Sequence, residues 1–365
     1  MDSTRMVLLQ SLALTISDYQ QNKIAPINSA HIEKWLNQFD LADQPIILAE
    51  IDSIMKRYYF SRTRVKEAIR AFLKETIIRG NDFRQVLPHI CFLNIQKIGS
   101  SQGAMLDLTD EILQEDYNWS TSMTATQEVD TYIYMDDCIY TGSRIRYDLT
   151  DGTDSSGWLS NCPSSNCVLY IFTIATHTEG MSYASKRISD ATQNKQIRVR
   201  WKPAFMINNH HRQGNSIEVL WPEGSQDVYV ASYVSELEMS LSQAGRSTDV
   251  LRKVSSSQER LFSSLQARRV VEQAFLKKGI QLVKASKNAA LSIRPLGFMK
   301  LVSLGFGTLF VTYRNIANNC PLVLWWGDPN LPSTHPIGQW YPLFPRLTNV
   351  QRDIIVAEQI FDEPF

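Results

Sequence analysis

Two adjacent carboxylates, Asp136 and Asp137, stand directly after a β-branched and aromatic run at 132–135 and are separated by three residues from a short polar step of Thr141, Gly142 and Ser143. The run reads as a buried strand, and the segment after the turn can become a helix. A loop that enters a helix N-terminus leaves several backbone N–H donors unpaired, and these favour a phosphate. The anion-facing stretch is Cys138, Ile139, Tyr140, Thr141, Gly142, Ser143 and Arg144. Paired acids at a strand end also serve as helix caps or solvated turn residues, and Thr-Gly-Ser alone is a common turn. Here strand, acid pair and phosphate-type turn occur together and in order.

Three further groups of residues carry potential chemistry. Lys97, Ile98, Gly99 and Ser100 lie between a strand and a helix, one unit before the acid pair. Lys97 supplies a cation and Gly99 permits close backbone approach; the same residues also suit an ordinary strand-to-helix turn. His177 and Glu179 end the next apolar run, where they select a substrate's base or nucleophile, or cap a helix. Arg62, Arg64, Lys66 and Arg70 make one helix basic, which is either a partner-binding footprint for nucleic acid or protein, or a solvated face. His210 and His211 lack ligand-type spacing, so they read as a surface loop rather than a metal site.

The elements that position these residues fall into three parts, 1–85, 86–255 and 256–365. Up to about residue 85 the pattern is helical, with apolar residues at helical spacing in 6–16, a second helix capped by Asn28 and Ser29, a third after Pro45 and a fourth after Ser61. Several short helices with tight joints fit a winged-helix-like module. From Ile90 strands at 90–95, 132–135, 168–175 and 197–201 alternate with helices, which predicts an α/β fold with a parallel sheet. Ligands of such sheets sit at the carboxyl ends of the strands, where the loops around Lys97, Asp136 and His177 fall. One long amphipathic helix is expected over 256–284 and a strand over 306–313. The runs at 320–328 and 340–346 are rich in Trp, Tyr and Pro; they fit an aromatic wall over the active edge, a core lid or a protein interface.

The 365 residues carry 37 basic and 37 acidic side chains, so net charge supplies no global attraction to nucleic acid. Cys91, Cys138, Cys162, Cys167 and Cys320 complete no zinc set and read as free thiols in a reducing compartment. Residues 6–16 form an amphipathic helix rather than a signal peptide, and no run is long enough for a membrane span. A cytoplasmic protein is expected.

The segment 130–144 resembles the phosphoribosyl-pyrophosphate (PRPP) motif of type I phosphoribosyltransferases. The resemblance implies that fold, with Asp136 and Asp137 as catalytic residues holding ribose hydroxyls, the 138–144 turn cradling the 5′-phosphate and Lys97, Ile98, Gly99 and Ser100 binding pyrophosphate. It implies a PRPP-like or nucleotide ligand, with Mg²⁺ held through ligand phosphates and ribose and no direct protein ligand. The interval from Lys97 to Asp136 is short for that family, whose active members carry a mobile hood loop there; this puts turnover in question but not ribose-phosphate binding. The residues 32–39 and 58–61, with Cys-Pro-Leu-Val-Leu-Trp-Trp-Gly at 320–327 and Pro-Leu-Phe-Pro-Arg at 342–346, resemble phosphoribosyltransferase-like proteins of bacterial anti-phage operons, some beside retron-type reverse transcriptases. That implies either an effector acting at the ribose C1 position or a non-catalytic subunit that senses a nucleotide or nucleic-acid end. A reverse transcriptase or nucleic acid would dock on the N-terminal domain.

Overall fold

In the computed structural model, residues 3–97, 100–151, 157–164, 166–193, 195–253, 257–286, 293–298, 303–328, 331, 334 and 338–346 are described. They divide into two compact units. One combines residues 1–62 with 211–365, and the other is 63–210. These bounds differ from divisions after residues 85 and 255, because the N-terminal helices share a core with the C-terminal segment.

The first unit opens with α1 (Ser3–Thr15), α2 (Ser29–Leu36), α3 (Gln44–Tyr58) and the short β1 (Tyr59–Phe60). The Asn28 side chain caps α2 by accepting from the His31 N–H at 3.0 Å, as expected for an Asn before an apolar-periodic run. α4 (Arg62–Phe72) leads into the second unit.

The second unit continues with α5 (Phe83–Val86), β2 (Ile90–Phe92), α6 (Ser101–Tyr117), β3 (Thr131–Ile139), α7 (Ser143–Arg146), β4 (Asn166–His177), α8 (Thr178–Thr192) and β5 (Gln196–Ile207). The strands form one sheet in the order β2-β3-β4-β5, and each neighbouring pair is parallel. Over β3 and β4 both faces are covered, which suits a parallel sheet. On one face Tyr132, Tyr134, Leu169 and Ile171 pack with Ile145, Leu149, Ala184 and Ile188. On the other, Phe72 of α4 stacks on Phe172 with ring centroids 4.4 Å apart, and Thr109 of α6 reaches the Met135 sulfur at 3.4 Å.

Returning to the first unit, α9 (Val228–Gln243), α10 (Leu265–Ala285), β6 (Val311–Thr312) and α11 (Leu322–Trp325) complete it, with β6 parallel to β1. The helix expected over 256–284 starts only at Leu265, where Ser264 accepts from the Ala267 N–H at 3.1 Å. Before it the chain wraps around Glu259, whose Oε1 accepts the N–H groups of Arg260, Leu261 and Phe262 at 2.8–3.1 Å. The strand expected over 306–313 contracts to Val311–Thr312. The aromatic runs are core: the indoles of Trp35 and Trp340 both donate to the Val323 carbonyl, at 2.8 and 2.9 Å, and Phe39 stacks on Phe275. Gln38 and Tyr341 exchange two 2.8 Å bonds, amide to carbonyl and N–H to amide oxygen. Within the first unit they seal the N-terminal helices onto residues 322–344.

No helix among the described residues is long and apolar enough to cross a membrane.

Candidate functional site

β3 is an inner strand and both acids lie in its last four residues. Side chains alternate along a strand, so Asp136 and Asp137 leave opposite faces. Asp136 is 5% exposed. Its Oδ1 accepts from the Ser101 hydroxyl and, at 2.8 Å, from the Asp137 N–H. Its Oδ2 accepts from the Gln96 amide at 3.1 Å and lies 3.4 Å from the Tyr134 hydroxyl, whose one proton points to the closer Asp148. A carboxylate offers about four acceptor positions, and the Ser101 hydroxyl, the Asp137 N–H and the Gln96 amide address three of them. Asp137 is half-buried.

Sequence reasoning missed the residues that organise this cluster. The Gln96 amide also donates to Asp148 Oδ2, at 2.9 Å, and the Tyr134 hydroxyl donates to it at 2.8 Å. Asp148 comes from the π-helical turn Tyr147–Asp151 that follows α7. Burial pushes its carboxyl up to about 6, against the pull of the Tyr134 hydrogen bond and the Arg144 guanidinium, whose Nη1 lies 3.9 Å away. Burial also raises the Tyr134 phenol, and the charges of Asp136 and Asp148 add to it. Gln102, fully buried, accepts from the N–H groups of Ile95 and Gln96 at 2.7 and 3.0 Å, and so sets the backbone of the loop that presents Gln96.

Of that loop, the Ser100 N–H donates to the Lys97 carbonyl at 3.1 Å and Ser100 stands at the N-cap of α6. Ile98 and Gly99 lie outside the described residues.

β3 runs further than its apolar stretch. Cys138 and Ile139 pair in register with Ala175 and Thr176 of β4, so they belong to the strand, and the turn proper is 140–142. Thr141 Oγ1 accepts from the Ser143 N–H at 3.4 Å, and Gly142 adopts φ +79°. This turn presses on the first turn of α8. A Cβ at Gly142 would stand 2.3 Å from the Gly180 carbonyl oxygen, and one at Gly180 only 2.0 Å from the Tyr140 oxygen.

His177 is fully buried between the strand ends. Its Nδ1 is 2.9 Å from the Ile139 carbonyl, so Nδ1 carries the proton, and its ring stacks on Tyr140 at 5.3 Å. Burial lowers its pKa to about 4, so the ring is neutral at physiological pH. The Glu179 N–H donates to the Asn209 amide oxygen at 2.9 Å, and Thr178 and Asn209 also bond each other. Sheet edge, turn, acids and His177 thus come together in one unit.

The family model PRTase-CE matches residues 32–346. The chain belongs to the PRTase-CE family. No curated protein and no solved structure matches it. The family is phosphoribosyltransferase-like, and the parallel α/β sheet of the second unit accords with it.

In this PRTase-CE chain the basic residues of α4 lie apart from the sheet edge and do not form one open stripe. Lys66 Nζ sits 2.8 Å from Glu111 and 2.7 Å from Glu115 of α6. Arg70 pairs with Glu115 and, at 2.9 Å, with Asp116. The Arg62 N–H donates to Asp18 at 2.7 Å. Arg64 is half-buried, and desolvation lowers its pKa. Charge on Lys66 and Arg70 is neutralised within the second unit, because α6 packs its acidic residues there.

Proposed function

We propose that the carboxyl edge of the second unit's sheet binds a PRPP-like or nucleotide ligand and that the chain acts at the ribose C1 position. The observation that carries this reading is the end of β3. An inner parallel strand delivers two acids and a glycine turn that is fixed against α8 by the contact of Gly142 with Gly180.

The two acids divide the work. Asp137, half-buried, is the acceptor for ribose hydroxyls. Asp136, buried and held by several donors, fastens Gln96 and Ser101 to β3. The backbone of 140–143, with Arg144 beside it, holds the 5′-phosphate. Arg144 is half-exposed and a cation, which complements that charge. Mg²⁺ is hard and favours substrate phosphates with one or two carboxylates. It would be held through the ligand's pyrophosphate and ribose, with no direct ligand from the protein. Cleavage at C1 passes through an oxocarbenium-like state, so the protein's part is to hold the leaving pyrophosphate and stabilise charge.

A second reading is a non-catalytic subunit that senses a nucleotide or a nucleic-acid end. The short interval from Lys97 to Asp136 and the burial of the Asp136 carboxylate among protein donors favour it. In both readings the setting is anti-phage defence, and the helical N-terminus, winged-helix-like in its sequence, docks a partner such as a reverse transcriptase. Incubating the purified chain with Mg²⁺ and PRPP or NAD, and following pyrophosphate or free base, separates the two. Turnover abolished by Asp137→Asn supports the effector; tight binding without turnover supports the sensor. Neither binding nor turnover contradicts both.

A further inference from the structure

We infer that the exposed face of β5 is an interface for the phosphate backbone of single-stranded nucleic acid, with Arg198, Arg200 and Lys202 as its contacts. The inference does not rest on the ribose-phosphate site.

Alternate residues of a strand share a face and stand about 6.6 Å apart. Arg198, Arg200 and Lys202 therefore form a straight row of three cations, and all three are exposed. β5 is an edge of the sheet among the described residues, paired with β4 from Gln196 to Ile207. That pairing fixes the spacing of the row, so little backbone entropy is lost when a polyanion docks. β5 contains no acidic residue, and its partners on the same face are Val168, Tyr170 and Phe172. A fourth cation joins the row. Exposed Arg79 donates through Nη2 to the Tyr170 hydroxyl at 3.0 Å, and Tyr170 is the register partner of Arg200.

Some cations of this chain are neutralised internally. Lys66, Arg70, Arg146, Arg252 and Arg268 each sit in an ion pair. Arg198, Arg200 and Lys202 form none among the described residues. In a chain with equal numbers of acids and bases, such a row is a local positive surface, and the complement of a one-residue-wide line of charge is one phosphate strand. Such contacts fix a backbone but do not read bases, so binding is sequence-tolerant and steeply salt-dependent. The competing account is that edge-strand cations only deter sheet-to-sheet aggregation.

The test uses the full chain and a fluorescein-labelled, mixed-sequence DNA strand of about 20 nucleotides, with anisotropy read across salt concentrations. Each phosphate neutralised on a single strand contributes about −0.7 to the slope of log K against log salt. Four cations give a slope near −2.8, and the triple variant R198Q/R200Q/K202Q should lower its magnitude by about 2.1. Its affinity should fall on the order of 100-fold at about 0.1 M salt. Arg200→Lys, which keeps the charge, and Lys253→Gln, far along the sequence in the other unit, should bind like the unaltered chain. An unchanged slope in the triple variant overturns the inference. So does the absence of binding by the unaltered chain at about 50 mM salt, which would leave edge protection as the role. Equal competition by a Glu-rich peptide or by duplex DNA also overturns it, and so does a loss in Arg200→Lys as large as in the triple variant.

Discussion

Asp136 and Asp148 share a single amide donor: Gln96 Nε2 lies 3.1 Å from one carboxylate and 2.9 Å from the other. Burial raises the Asp148 carboxyl to about 6, so it holds its proton only below that pH. A raised folded-state value means that Asp148 contributes stability below the ordinary carboxylate range, near 4, and that this is lost as pH rises through about 6. Urea unfolding at pH 4.5 and pH 7 should therefore show a larger loss with pH in the unaltered chain than in Asp148→Asn. The difference should be on the order of 2–3 kcal/mol. Equal pH dependence in the two would remove Asp148 from that role.

His177 works in the opposite direction. Burial lowers its pKa to about 4. Its neutral form therefore contributes stability above about 6.5, and this is lost as pH falls toward 4. Its ring resonances should stay constant from pH 8 to pH 5.5. A midpoint near 6.5 would show that the ring is solvated, contrary to its packing under Tyr140.

The strand-and-turn core of the site was legible because β3 concentrates Ile, Tyr and Met before two acids and a glycine turn, and because each parallel strand begins a helical pattern soon after. Asp148 and Gln96 were not. Their meeting with Asp136 depends on how the turn after α7 curls back, and no local spacing encodes that. Lys66 and Arg70 looked like an open basic face because the acids that neutralise them sit some 45 positions later on α6. The aromatic runs signalled burial, but a sequence gives the face of a helix without its partner, so the pairing of Trp35 with the Val323 carbonyl stayed hidden.

The contact between Gly142 and Gly180 leads to a further expectation. Gly180→Ala places a methyl against the Tyr140 carbonyl, where backbone must move. The cost should be roughly 1–3 kcal/mol, and the amide resonances of 140–144 should shift while those of α1 do not. A variant with unchanged stability and spectrum would mean that the turn is not held by α8.

Because Lys66 and Arg70 are paired internally, replacing both with Gln should lower stability, more through the buried Lys66 than through Arg70, and leave binding of a nucleic acid unchanged. Loss of that binding in the double variant, with the fold intact by circular dichroism, would return α4 to the role of a docking face.

The most direct test of the central claim is calorimetric titration of PRPP with Mg²⁺ into the full chain and into Asp137→Asn. A charged hydrogen bond to a hydroxyl contributes roughly 1.5–3 kcal/mol, so the account predicts saturable binding that weakens by about tenfold or more in the variant while its melting curve is retained. Equal affinity in the two proteins, or no heat of binding with PRPP or common nucleotides in the unaltered chain, would contradict it.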